Sequence, residues 1–132
     1  MGIRVWGEVA DRLIELSAEA RADGGLVIEG LPPDVARTSR DRIRAALVNS
    51  RLVGESPAVT IRLRPALRGS PCGELDVAIA LAVLGHLGTL DEQLAWILVT
   101  GRLGLGGRVH ARELEESVSL VTVVTALSTV GV

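Results

Sequence analysis

Residues 30–50 read Gly30-Leu31-Pro32-Pro33-Asp34-Val35-Ala36-Arg37-Thr38-Ser39-Arg40-Asp41-Arg42-Ile43-Arg44-Ala45-Ala46-Leu47-Val48-Asn49-Ser50. Gly30 through Asp34 is a stop followed by a helix start. Asp34 is placed to act as N-cap, because its carboxylate can accept the orphan N–H groups of a first turn. The spacing predicts a helix from residue 35 to about residue 50. At 100° per residue, Val35, Ala36, Ser39, Ile43, Ala46, Leu47 and Ser50 share one arc, while Arg37, Arg40, Arg44 and Arg51 gather opposite. That is an amphipathic helix with a core face and an arginine face.

The flanking sequence supplies strands. Residues 3–9 and 12–20 alternate with period two, which is a strand signal. Asp23-Gly24-Gly25 is a turn, and residues 26–29 form a third short strand, so an antiparallel meander is expected. After the helix, Val59, Ile61 and Leu63 alternate with Thr60, Arg62 and Arg64, and this strand stops at Pro65. Residues 75–87 are apolar on nearly every side, the pattern of a buried helix. A strand is expected over 94–99, a glycine-rich hairpin or bulged connection over 101–107, and a helix over 112–120. The order β-β-β-α-β-α-β-(β)-α predicts an α/β (α+β) domain with a single mixed sheet and helices packed on one face.

The 132 residues suit one domain. Their net charge of −2 gives no general polyanion-binding surface. All fourteen cations other than His are Arg. With no Lys there is no Walker A lysine, no Schiff-base chemistry and no Ser–Lys dyad. A single cysteine, Cys72, excludes an intramolecular disulfide and any Cys₄ or Cys₂His₂ metal site. No stretch reaches the roughly 18 apolar residues of a membrane span. No signal-type apolar region opens the chain, so the expected address is the cytoplasm. No cofactor or metal is expected.

Gly30-Leu31-Pro32 followed by Asp34, and then Ser39-Arg40-Asp41-Arg42-Ile43-Arg44-Ala45-Ala46-Leu47-Val48-Asn49-Ser50, resembles the N-terminal domain of the magnesium-chelatase-like, ComM/YifB-type family. That family shows Gly-Leu-Pro, an acidic residue, then Ser-Arg-x-Arg-Val/Ile-Arg-Ala-Ala-Leu-x-Asn-Ser. The likeness runs on through Asp76-Val77-Ala78-Ile79-Ala80-Leu81 and covers about residues 3–115. It implies a Lon-protease-like, ribosomal-S5-domain-2-like fold for 1–132, short at its C-terminus. It also implies an AAA+ ATPase module as companion, and in ComM-type members a task in DNA processing. Ser70-Pro71-Cys72-Gly73-Glu74-Leu75-Asp76 stands where the family has Lys-Glu-Gly-Ser-Gly-Phe-Asp. Arg62 stands for the family's Asn, and Arg102 for the Glu of Gly-Glu-Leu.

Three candidate surfaces follow. Cys72 can be laid on the nucleophile loop of the Lon-like fold, where a helix N-terminus would lower the thiol pKa. The Lon-type base is Lys, so a hydrolase here would be degenerate. Its bland counterpart is a small loop residue. Arg37, Arg40, Arg44 and Arg51, with Arg62 and Arg64 on a strand, are candidates for binding nucleic acid or a protein, because Arg pairs bidentately with phosphate. Their bland counterpart is a solvated face paired with Asp and Glu. The apolar segment 118–132 is a candidate for homodimer or partner contact. His86 reads as a core or edge histidine, and Asp76 as a structural residue in a first helical turn. The favoured reading is a non-catalytic accessory or assembly domain.

Overall fold

The computed structural model describes residues 4–9, 12–53, 57–67, 75–88, 96–99, 102–103, 108–110 and 117–119. Among them the order is β1 (Arg4–Val9), β2 (Arg12–Ala20), β3 (Leu26–Glu29), α1 (Pro33–Asn49), β4 (Val59–Arg64), α2 (Asp76–His86), β5 (Trp96–Val99), β6 (Arg102–Leu103), β7 (Arg108–His110) and β8 (Ser117–Ser119). The main sheet is mixed and runs β3-β4-β2-β1-β5. β1 and β2 form an antiparallel pair with Val5 opposite Leu16 and Gly7 opposite Ile14. β5 runs parallel to β1.

Alternation along these strands sorts the side chains. Val5, Ile14, Leu16, Leu26, Ile28, Val59, Ile61 and Leu63 are buried against the helices. The opposite face carries Leu13, Glu15, Ser17, Glu19, Arg62 and Arg64, and none of these is buried. Both helices therefore cover the same side, in two layers around one core. α1 contributes Ser39, Ile43, Ala46 and Leu47 to that core. α2 is buried from Asp76 through Leu84, as an all-round apolar helix must be.

Helix α2 approaches the sheet closely at Gly7, where an added methyl would run into Leu75 Cδ2. Gly30 ends β3 at φ +102°. Its carbonyl accepts the Leu67 N–H at 2.7 Å, tying the exit of β4 to the entrance of α1.

Four expectations need correction. β3 does not continue the β1–β2 meander; it pairs in parallel with β4, with Leu26 opposite Val59 and Ile28 opposite Ile61. α1 makes the crossover that a parallel pair requires, and β4 takes the interior place between β2 and β3. Asp34 is not the N-cap. α1 begins at Pro33, whose preset φ suits the first helical position, and no side chain caps the start. Asp34 stands in the first turn instead. Residues 117–119 of the expected helix 112–120 form β8, antiparallel to β7; β-branched Val118 between two serines suits a strand. The rest of that stretch lies outside the described residues. Finally, a second, three-stranded sheet β6-β7-β8 accompanies the main one. It begins with the expected hairpin, Arg102 opposite His110 and Leu103 opposite Val109.

Candidate functional site

The charged side chains of α1 point in two directions. Arg42 turns inward. Its Nε donates to Asp76 Oδ2 at 2.5 Å and its Nη2 donates to Asp76 Oδ1 at 3.0 Å. The same Nη2 donates to Ser39 Oγ at 3.3 Å. This is the two-pronged geometry in which guanidinium and carboxylate bind most strongly. The Asp76 side chain is 1% exposed and that of Arg42 23%. Asp76 also sits in the first turn of α2, where a carboxylate complements the helix dipole. The hydrogen bond to Asp76 raises the Arg42 pKa above the ordinary guanidinium value, against the lowering effect of burial. The pair fastens α1 to the start of α2. Asp76 is structural, as its position in a first turn suggests. The sequence pattern gave Arg42 no role, because at its angle on the helix it belongs to neither the core arc nor the arginine arc.

The remaining arginines of α1 face solvent. Arg37 Nη2 lies 3.6 Å from Asp34 Oδ1. Arg40 Nε donates to Asp41 Oδ1 at 3.2 Å, and Arg44 Nη2 is 3.7 Å from the same carboxylate oxygen. Such exposed pairs contribute at most about 1 kcal/mol each and leave their guanidinium groups accessible.

Arg51 lies just beyond the helix end and has φ +61°. Its N–H bonds the Val48 carbonyl at 3.0 Å, and the next N–H, of Leu52, bonds the Leu47 carbonyl at 3.1 Å. These two bonds define a Schellman motif with Arg51 at the left-handed position usually held by Gly. A side chain there costs roughly 1–2 kcal/mol. Nothing in the local sequence marks this strain, since no Gly or Asn follows Ser50.

Arg62 and Arg64 belong elsewhere. Arg62 Nε donates to Glu29 Oε2 at 2.8 Å, and its Nη2 lies 3.6 Å from Glu19 Oε2. The guanidinium thus ties β4 to both neighbours, and the Glu29 hydrogen bond raises its pKa. Arg64 is exposed, in register with Glu15. Both lie on the sheet face opposite α1, so the six candidate arginines do not form one surface. α1 presents Arg37, Arg40 and Arg44, with exposed Arg51 just past its end, while the open sheet face presents Arg62 and Arg64.

Cys72 lies outside the described residues, as does the apolar stretch 120–132. His86 is not a core residue. It is exposed in the last turn of α2, where a cation is favoured. Among the described residues no group of three or more His, Cys, Asp or Glu could hold a metal ion. No described helix is long and apolar enough to cross a membrane.

The molecule is thus a two-layer α/β domain in which the Ser39-Arg-Asp-Arg42 run of α1 locks onto the Asp that opens α2. A family model described as subunit ChlI of Mg-chelatase matches residues 14–128. The chain belongs to that magnesium-chelatase-like family. It is 30% identical over 95 residues to the competence protein ComM of Haemophilus influenzae, covering 66% of this chain and 19% of the relative. It is 38% identical over 87 residues to the uncharacterized protein YifB of Escherichia coli, covering 65% and 17%. To the uncharacterized protein Rv2897c of Mycobacterium tuberculosis it is 33% identical over 100 residues, covering 74% and 20%. The chain therefore spans about a fifth of the length of these relatives.

Proposed function

We propose that this chain is a non-catalytic accessory or assembly domain of a ComM-type, magnesium-chelatase-like system, acting in the cytoplasm in DNA processing by contact with other molecules. The observation that carries the reading is how the charges are used. Asp76, the one buried carboxylate among the described residues, is gripped by Arg42 and fastens two helices. Apart from Arg21, whose Nε is buried, the other charged side chains whose burial is described are exposed or half-buried. The 132 residues also contain no Lys, so they bring neither a Walker A lysine nor the lysine base of a Lon-type dyad. The element order and the one-sided packing of helices support a Lon-like, ribosomal-S5-domain-2-like fold. The partners proposed are an AAA+ ATPase module and a second copy of the chain docking through the apolar segment 118–132.

The rival is a degenerate hydrolase using Cys72. Gel filtration with a purified ComM-type ATPase, run beside a fluorogenic peptide assay, separates the two. The expected result is co-elution with the ATPase, peptide turnover at the buffer rate, and no change in either on Cys72→Ala. Peptide hydrolysis that disappears in Cys72→Ala would assign the chain to the hydrolases.

A further inference from the structure

We propose that the solvent face of α1, extended by Arg51, binds the phosphate backbone of duplex nucleic acid. This rests on the reading of the chain as a contact module and names one ligand class for it. Residues 34–51 hold five arginines against two aspartates, a local charge of +3 in a chain of net −2. Arg42 is spent on Asp76. Of the other four cations, Arg37, Arg40 and Arg44 span about 10 Å of α1 at 1.5 Å per residue, and Arg51 follows just beyond the helix end. Arg is the side chain whose fork matches a phosphate.

The second observation is the strain at Arg51. A left-handed Schellman position is cheapest with Gly, yet here it carries an exposed guanidinium just past the helix end. Backbone strain held at one residue is a mark of use. The face carries no aromatic side chain on which a splayed base could stack, which favours the duplex over a single strand. Its one exposed large apolar residue is Val48, 37% exposed. A protein interface would need an apolar centre, and the face lacks one.

The test is binding of a fluorescent 20-bp DNA duplex to the purified chain across a salt series, alongside melting of each variant. Four phosphate contacts predict an affinity loss of about 100-fold between 50 and 200 mM salt. Arg40→Ala, Arg44→Ala and Arg51→Gly should each weaken binding several-fold and flatten the salt slope by roughly 0.9. Arg51→Gly should do so while raising Tm by about 4 °C, because the left-handed strain is relieved. Asp41→Asn should tighten binding. Arg64→Ala, on the opposite face, should leave it unchanged. The proposal is overturned by no binding at low salt, by equal loss in Arg64→Ala, by unchanged affinity in Arg51→Gly, or by polyglutamate competing as well as DNA, which would mark a face for acidic proteins. None of these outcomes bears on co-elution with the ATPase, so the two readings fail separately.

Discussion

Arg42→Ala is expected to destabilise the domain by about 3 kcal/mol, the lower end of what removing one partner of a buried ion pair costs. The reason is asymmetric. Asp76 is 1% exposed and holds both prongs of the guanidinium. Without Arg42 its charge stays buried at the start of α2 with its strongest partner gone. Ser39, also buried, loses the Arg42 hydrogen bond as well. Urea unfolding of the purified chain measures the loss directly, and a drop in Tm of roughly 10 °C should accompany it. Adding Asp76→Asn to Arg42→Ala should recover part of the loss, because a buried negative charge is removed. A loss below about 1 kcal/mol, typical of exposed pairs, would show that the pair does not fasten the helices. On the arginine side the stabilisation should not vary with pH near neutrality. Its folded pKa is raised by Asp76. The contribution is therefore complete below the ordinary guanidinium value and is lost only as pH climbs through the folded one.

Gly30→Ala is expected to be nearly as costly, at about 3 kcal/mol. Two terms add. At φ +102° an L side chain is strained whatever the space around it. The new Cβ would also lie 2.8 Å from the Leu63 carbonyl oxygen and 3.3 Å from the Leu63 nitrogen. These are backbone atoms of β4, held in the sheet, and cannot swing aside. Gly7→Ala makes a useful contrast. Its conflict is with Leu75 Cδ2, the far end of a flexible side chain, so a loss of about 1–2 kcal/mol is expected, in the range of ordinary overpacking. Thermal melts of the two variants should keep this order. The reverse order would mean that the Gly30 backbone relaxes and that Leu75 does not.

Much of the fold is legible along the chain because its signals are local. The period-two alternation of residues 12–20 and 59–64 gives β2 and β4. The 3.6-residue pattern around Ser39, Ile43, Ala46 and Leu47 gives α1 with its buried face. The unbroken apolar run after Asp76 gives a buried α2. Strand pairing is different. β3 looks like the third arm of a meander because it follows β2 after a tight turn, but pairing depends on which edge is free and on what α1 must cross. The N-terminus of α1 shows a smaller competition of the same kind, in which Pro33 at the first helical position outweighs the capping preference of Asp34.

The candidate site divides along the same line. Residue types and their angular spacing are enough to place Arg37, Arg40 and Arg44 on the outer face of α1, since helix geometry alone decides that. They also exclude lysine chemistry before any coordinate is known. Three things required the third dimension. Arg62 and Arg64 fall on the opposite side of the sheet from α1, because Val59, Ile61 and Leu63 take the helix-covered face of β4 and the alternate side chains point away from it. Arg51 takes a left-handed conformation because the Leu47 and Val48 carbonyls need its N–H and that of Leu52. Arg42 finds Asp76 thirty-four residues away in the chain. Periodicity reports only which way a residue faces on its own element; the partner it meets is set by how separate elements pack, and that information is spread over the whole core.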